Sequence, residues 1–584
     1  MKIKSLIFPL FTAFVVLLLV SLGGAWQMDL SSFGLEHISV GLKVTALANF
    51  FAILIAFSLL TISFLSEKYS LSKSFKLLLY LLTWSMLLIV YASDYLLFFA
   101  GWEVMSITTY LLLSYTLSRE ALIKYIVFAI ASAMALLTSI MILYSGADSF
   151  LYADAHQAYV ALSSTLKVTF VTLMLFALFV KIGVIGFHYW LVDAYTQSHD
   201  LFTAFLSAVL SKMAIYALIV FLIIVVDISA MSDLWLSYTL AILGLLSSII
   251  ATFKAINEDS MKRLLAYSSI AQLGYIVTVL SFADGVSGAL YHSLIHTLVK
   301  LLLFINVASI IYVTSKSKFS ELGGLIYRMP QSFVLLLVGI IALAGMPPLG
   351  GFASKYLIYN TLLEHGNLLI LSAMMFSSAA AFLYIYKLIY GIYLGHPTSK
   401  KLETIEEVPS IFLIPQYIIA FIVIVLGTFP GIITPYLNSI LGELKLKALP
   451  LVSATVLGTE NGSYNGLIVI VAFALIFALI LFALYSLSSN KVREAKDRFD
   501  IAYCGEVPNE GTHMHYAFSM GKELRRVGFI GTILRNSSSY FYDFLSRQLF
   551  SFAQLLRRIY SGNLSANFNI AAIFILTLLW WSLK

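Results

Sequence analysis

Hydrophobic residues run in long blocks along nearly the whole chain, separated by short polar stretches. The blocks are centred in 5–24, 41–65, 76–92, 94–116, 122–145, 168–187, 200–226, 235–253, 264–283, 286–313, 331–358, 367–395, 411–436, 464–487 and 567–583. Crossing roughly 30 Å of hydrocarbon takes about 20 apolar residues in a helix, so the pattern predicts about fifteen transmembrane helices. Alternating apolar and polar positions with regularly spaced turns are absent. Of the two folds that satisfy every backbone group in lipid, the helical bundle is therefore expected and the β-barrel is not. The predicted fold class is an all-α integral membrane protein. The first block follows Lys2 and Lys4, is longer than a signal-peptide core and is followed by SLGGAW, a poor cleavage site. It is expected to stay as a helix.

Composition agrees with a membrane protein: 60% of the 584 residues are hydrophobic and 11% are charged. Soluble domains carry about a quarter charged residues. The charges fall unevenly between alternate loops. One set holds Lys68, Lys73, Lys76, Arg119, Lys254, Lys262, Arg263, Lys316, Lys318, Arg328, Lys400 and Lys401. The other is nearly free of Lys and Arg apart from Lys445 and Lys447, and holds Asp148, Asp154, Asp227 and Asp233. The positive-inside rule then places the N-terminus in the cytoplasm and predicts a multi-pass protein of the cytoplasmic (inner) membrane with an odd number of helices. The net charge of +7 is mostly topological. No nucleic-acid partner is expected, because the basic residues are spread over loops and not gathered on one face. The single cysteine, Cys504, supplies neither an Fe–S ligand set nor a haem-attachment pair, and no phosphate-binding glycine motif is present. No cofactor is expected on this chain.

Ionisable residues inside apolar blocks are the candidate chemistry, because a charge near the bilayer centre costs about 2.5–3.5 kcal/mol and marks an ion path or a buried pair. They are Glu103 in FFAGWEVMSITTY, Lys181 in LFALFVKIGVIGFHYW, Lys212 in AVLSKMAIYAL, Lys300 with His292 and His296 in LYHSLIHTLVKLLLF, and Lys355 in AGMPPLGGFASKYLI. Lys181 and Lys355 lie near block ends, where each, read alone, is open between an ion path and a side chain snorkelling to the interface. Lys212, Lys300 and Glu103 are too deep for that. His292, His296 and Lys300 recur every fourth residue on one helix face, so three polar side chains cover about 12 Å of axis and suit short proton hops. Zinc binding by the two histidines lacks a zincin glutamate and a third ligand, so no metal site is expected.

A second regularity joins these residues. The third to seventh blocks (76–226) and the eighth to twelfth (235–395) form two units of five. Because five is odd, the second unit enters the membrane from the opposite side, as in an inverted repeat. The fourth helix of each unit carries a lysine beside a backbone break, Lys181 before GVIG and Lys355 after GMPPLGG. Paired interrupted helices in two halves point to a transport site. The expected organisation is N-terminal helices in 1–75, the two repeats, further helices in 396–487, a polar segment with an amphipathic lateral helix in 488–566, and a last span in 567–584.

Six ordered motifs, GWEVMSITTYLLL, KIGVIGFHYWLVDAY, LSAVLSKMAIYAL, DSMKRLLAYSSIAQLGY, GALYHSLIHTLVKLLLF and AGMPPLGGFASK, cover roughly residues 40–395. Together they resemble the antiporter-like, proton-translocating subunits of respiratory complex I, of Mrp-type cation/proton antiporters and of energy-converting membrane-bound hydrogenases. The resemblance implies roles. Glu103 would be the carboxylate paired with Lys181 on the first broken helix. Lys212, His292, His296 and Lys300 would form a central polar axis, and Lys355 would be the terminal lysine on the second broken helix. It departs in two places, since Gly186 and Val192 stand where the family carries prolines, and the N-terminal region is one helix shorter than in the large complex I members. The run AYCGEVPNEGTHMHYAFSMGKELRRVGF resembles the C-terminal region of the large antiporter-like subunit of energy-converting hydrogenases and formate hydrogenlyases. Arg and aromatic residues along 534–560 suit a helix lying on the membrane surface against neighbouring subunits.

The expected function is proton (or sodium) translocation as a subunit of a redox-driven membrane complex, of hydrogenase or formate hydrogenlyase type, with no redox site on this chain. The expected partners are other antiporter-like and anchor membrane subunits, membrane lipid, and peripheral hydrogenase-like or dehydrogenase subunits. Those peripheral subunits would carry Fe–S clusters and, in a hydrogenase, a nickel–iron centre. The alternatives are a large antiporter-like component of complex I and an Mrp-type antiporter working without redox chemistry.

Overall fold

The computed structural model describes residues 7–29, 39–69, 71–146, 149–229, 235–394, 397–487, 523–534, 547–548, 550–551 and 554. Each apolar block within them is helical. After α1 (Ile7–Leu22) come α2 (Ala46–Ser66), α3 (Lys73–Tyr91), α4 (Tyr95–Leu113), α5 (Arg119–Tyr144) and the short α6 (Ala155–Ala161). Next are α7 (Ser164–Ile182), α8 (Tyr189–Gln197), α9 (Asp200–Phe205), α10 (Ser211–Ile219), α11 (Trp235–Asn257), α12 (Met261–Val279) and α13 (Val286–Thr314). Then follow α14 (Pro330–Ala344), α15 (Gly350–Glu364), α16 (Leu368–Ile392), α17 (Lys400–Glu403), α18 (Ser410–Thr428), α19 (Thr434–Glu443) and α20 (Gly466–Leu487). The polar stretches between blocks start these helices: Thr45, Ser72, Asp94, Ser118, Ser163 and Ser260 each accept a first-turn backbone N–H with their side chains.

Eleven described helices are long and apolar enough to cross a membrane. The protein is an all-α integral membrane protein. Helix α12 is not among the eleven; Lys262 and Arg263 in its first turn, with Ser268, Ser269 and Gln272, dilute its apolar character. All its residues except Arg263 in the first turn are buried, so its other polar side chains face protein and not lipid. Helix α20 is the opposite case, with none of its span buried within the chain.

Four predicted blocks are more finely divided than the hydrophobic pattern shows, among them 411–436, which holds α18, a 3₁₀ turn (Pro430–Ile432) and the start of α19. The block 331–358 is two helices, α14 and α15, and 168–187 ends at Ile182 before the chain resumes as α8. The block 200–226 alternates α9, a π-helical segment Leu206–Leu210, α10 and a second π-helical segment Val220–Val225. Hydropathy registers length and not hydrogen-bond register, so these interruptions are invisible in it. Two small antiparallel hairpins, β1–β2 (Ala25–Asp29 with Ser39–Lys43) and β3–β4 (Val456–Thr459 with Gly462–Asn465), sit in the connections, where strand pairing satisfies the backbone locally.

Within the compact unit Met1–Lys522, the same neighbour relations occur twice. Helix α3 packs on α4, α4 on α5, and α5 on α7 and α8; α11 packs on α12, α12 on α13, and α13 on α14 and α15. The last helices match too, α10 touching α3 and α7 while α16 touches α11 and α14. The other unit, Glu523–Lys584, holds a short 3₁₀ turn (Glu523–Arg526) and α21 (Gly528–Leu534) among its described residues. The expected lateral helix along 534–560 falls almost entirely, and the last span 567–583 wholly, outside the described residues.

Candidate functional site

The first break follows from one residue. Gly183 takes a left-handed backbone (φ 79°) that only glycine adopts without strain, and α7 stops there. The freed backbone groups are satisfied from neighbouring elements. Trp190 Nε1 donates to the Val180 carbonyl at 2.9 Å, and the Ile185 N–H donates to Ser247 Oγ at 2.9 Å. Lys181, 1% exposed, therefore ends its half-helix inside protein, not in lipid. Its ammonium donates to Ser106 Oγ at 2.8 Å and lies 5.4 Å and 5.9 Å from the ring centroids of Tyr125 and Trp102. Tyr125 holds Ser106 in turn, its hydroxyl donating to the Ser106 carbonyl at 3.0 Å. Glu103 is half-buried one turn earlier on α4, with Oε1 lacking a hydrogen-bond partner. The ammonium thus contacts a hydroxyl on the helix that bears the carboxylate.

Lys212 depends on the π-helical segment before it. Widening the helix to i→i+5 bonding leaves carbonyls free to take side-chain donors, which is one reason such bulges occur at functional sites. Lys212 Nζ donates to the Ser207 carbonyl at 2.7 Å, and Thr297 Oγ1 donates to the next one, Ala208, at 2.9 Å. The Ser207 side chain pairs with Ser269 on α12, Oγ to Oγ at 3.0 Å. Ser269 Oγ donates to the Leu265 carbonyl at 2.9 Å, which also accepts Lys300 Nζ at 3.0 Å. Lys300 makes a second bond to Ser268 Oγ at 2.6 Å. A line of polar partners therefore runs from Lys212 to Lys300 through Ser207, Ser269 and the Leu265 carbonyl.

The second break is built around Lys355. Gly345 (φ 76°) ends α14, and its missing side chain is required twice, since a Cβ there would stand 2.5 Å from Lys355 Cδ. Lys355 folds back across the gap and donates to the helix-end Ala344 carbonyl at 2.8 Å and to Ser378 Oγ on α16 at 2.7 Å, with its ammonium 4.8 Å from the Tyr275 ring centroid. His292 is tied to both halves of this break. Its Nδ1 meets Ser354 Oγ on α15 at 3.0 Å, and its Nε2 meets Gln272 Oε1 at 3.0 Å. Gln272 Nε2 donates to the Leu343 carbonyl of α14 at 3.4 Å, which leaves its oxygen as the acceptor for the imidazole N–H. His296 lies between His292 and Lys300 on α13, its ring near-parallel to that of His292 at 6.3 Å, and neither of its nitrogens has a hydrogen-bond partner.

The seven sequence-predicted residues thus fall into three groups: Lys181 with Ser106 near Glu103, Lys212 with Lys300, and His292 with Lys355, with His296 between the last two. The hydroxyl and amide partners Ser106, Ser207, Ser268, Ser269, Gln272, Ser354 and Ser378 were not singled out in the sequence. Spacing could have found part of them, because Ser268, Ser269 and Gln272 share one face of α12. Another buried lysine was missed: Lys387, on α16, donates to the Ile256 carbonyl at the end of α11 at 3.2 Å. Removing the hydroxyl that holds Lys181, as Ser106→Ala, is expected to destabilise the protein by about 1.5–3 kcal/mol, as for other hydrogen bonds to charged groups. Thermal unfolding of the purified protein against wild type measures it.

Residues 92–381 match the family described as "NADH:quinone oxidoreductase/Mrp antiporter, TM". NADH-quinone oxidoreductase subunit N of Desulfitobacterium hafniense is 28% identical over 354 residues, covering 57% of this chain and 70% of that one. A Na(+)/H(+) antiporter subunit of Bacillus subtilis is 27% identical over 418 residues, covering 66% of this chain but only 51% of that one. Among solved structures, a chain of the membrane-bound sulfane sulfur reductase, an archaeal respiratory membrane complex, superposes with a TM-score of 0.85 at 26% identity, covering 99% of this chain and 96% of that one. The matched residues contain both broken helices and all seven of the ionisable residues predicted from the sequence. Through them this chain belongs to the NADH:quinone oxidoreductase/Mrp antiporter transmembrane family, as an antiporter-like subunit of that class of membrane complexes.

Proposed function

We propose that this chain translocates protons, or sodium ions, across the cytoplasmic membrane for a redox-driven complex whose electron-transfer centres lie on other subunits. The observation that carries the reading is the row of buried ammonium and imidazole groups, Lys212, Lys300, His296, His292 and Lys355, all but His296 held by hydroxyl, carbonyl or amide partners, and ending at a helix break. Buried lysines without carboxylate partners are expensive in a bundle core, and a proton path accounts for that expense. Lys181 and Glu103 form the control point. With the carboxylate near, the ammonium keeps its proton; with it turned away or neutralised, the proton passes on along the row. A neighbouring subunit that shifts one charge alters the next site, and the coupling is reciprocal.

The repeated neighbour relations support two inverted five-helix repeats in 76–226 and 235–395, with the N-terminus in the cytoplasm. The match to the sulfane sulfur reductase chain along nearly the whole length supports assembly with further membrane subunits. A peripheral Fe–S partner of the sulfur-reductase or hydrogenase kind is part of the same proposal. In a reconstituted complex, Lys181→Ala is expected to lower the number of ions moved per electron pair while electron transfer continues. Pumping at the native ratio in that variant would defeat the assignment. The match to a Na(+)/H(+) antiporter chain favours a second reading, cation/proton exchange driven by ion gradients alone. Exchange by preparations lacking any redox subunit would select it.

A further inference from the structure

Helix α9, with the π-helical segment that continues it, and α12 both begin at the face that carries Lys124, Lys262 and Arg263. Two side-chain rungs join them. One is the Ser207–Ser269 pair already described, and the other is an ion pair, Lys262 Nζ to Asp200 Oδ1 at 2.9 Å. On each helix the two rungs are seven residues apart, 200 to 207 and 262 to 269, or two helical turns. Lys262 is further fixed by donating to the Ser198 carbonyl at 2.6 Å.

This pair differs from its neighbours at the same face. Arg263 pairs with Asp193 at 3.4 Å and with Glu258 at 3.1 Å, and Lys124 pairs with Asp193 at 3.2 Å and with Glu120 at 2.8 Å; both cations are partly exposed. Exposed pairs of that kind contribute little. Lys262 is only 6% exposed, so its charge has left water and depends on Asp200 as its counter-charge. Breaking such a pair by removing one partner is far more disruptive than losing a surface bridge. The second rung sits inside the π-helical segment Leu206–Leu210, whose Ser207 carbonyl holds Lys212, while α12 supplies Leu265 and Ser268 to Lys300. The register between the two helices therefore sets whether Lys212 and Lys300 share one line of polar partners.

We propose that Asp200 and Lys262 are positioning residues for ion translocation: their ion pair clamps the Lys212 helix to α12 in the register that links Lys212 to Lys300. This rests on the translocation reading above. A turn or slide of α9 past α12 would part Ser207 from Ser269 and break the line.

The test uses the assembled complex in vesicles, measuring electron transfer and ions moved per electron pair separately. Asp200→Asn is expected to lower the ion-to-electron ratio about tenfold, within the usual range of coupling between sites, while electron transfer continues. The charge-reversed pair Asp200→Lys with Lys262→Asp is expected to restore the ratio, which a general loss of folding would not allow. Lys212→Met is measured beside them. If Asp200→Asn keeps the native ratio while Lys212→Met abolishes pumping, the clamp is wrong and the translocation reading stands. If Lys212→Met also pumps at the native ratio, the translocation reading fails and the clamp fails with it. Should Asp200→Asn not assemble, the reversed pair decides: assembly with the native ratio supports the clamp, and assembly with a depressed ratio overturns it.

Discussion

Lys212→Met in the assembled complex is expected to cut ion translocation by about 10²-fold, the low end of what a positioned proton-transfer side chain contributes, with assembly preserved. The reason is the place of this ammonium in the line. It is wholly buried, and the hydrogen bond it donates goes to the Ser207 carbonyl of the π-helical segment, the residue whose side chain leads through Ser269 to Lys300. Methionine has similar length and no titratable group, so it occupies the same space and carries nothing. Two effects on stability oppose each other. One backbone carbonyl loses a partner, at about 1–3 kcal/mol, while a buried amine that is costly to keep from water is removed, which acts in the opposite direction. The net change is expected to be small, so thermal unfolding near the wild-type temperature combined with lost translocation separates a relay role from a folding role. Translocation at the native rate in a stably assembled variant would remove Lys212 from the path.

Gly345→Ala is expected to lower both stability and transport, through separable causes. The left-handed backbone at φ 76° costs a non-glycine residue about 1 kcal/mol. The added Cβ would also meet Lys355 Cδ at 2.5 Å, so the lysine has to leave the Ala344 carbonyl and Ser378 Oγ. Gly366 provides the control. It has φ 68° and nothing within 4 Å of an added Cβ, so Gly366→Ala carries the strain without the displacement. Both variants are expected to lose about 1 kcal/mol in unfolding experiments from strain, with the Gly345 variant losing more. Only Gly345→Ala is expected to lose translocation, by about tenfold or more, the rate equivalent of roughly 1.4 kcal/mol. Equal transport in the two variants would mean that Lys355 does not need its bonds across the break.

The blocks of apolar residues located every long described helix, because burying a backbone in hydrocarbon leaves few alternatives to a helix of about 20 residues. The two breaks were legible for a related reason: GVIG and GMPPLGG place glycine and proline where no helix continues easily, and Gly183 and Gly345 do end their helices in the left-handed region. The ionisable residues were legible too, since a charge stands out against an apolar background. Their partners were not. Ser106, Ser268 and Ser378 are short hydroxyl side chains, common in transmembrane helices, and only the packing of α4, α12 and α16 against the lysine-bearing helices selects which hydroxyls face an ammonium.

The same division explains the rest. Charge, hydrophobic length and helix breakers act along the chain, so the linear order of residues was enough to specify the membrane class, the positions of the long helices, the interrupted pair and the set of buried cations predicted from them. Contacts between distant segments depend on the register and rotation of packed helices, which no local pattern encodes. Helix packing alone made Lys181 meet a serine one turn from Glu103, made a π-helical segment hand its carbonyl to Lys212, and set Asp200 and Lys262 two turns from a second rung. In each case a short-range hydrogen bond or ion pair forms only after the helices have packed, and one turn of slippage would give different partners.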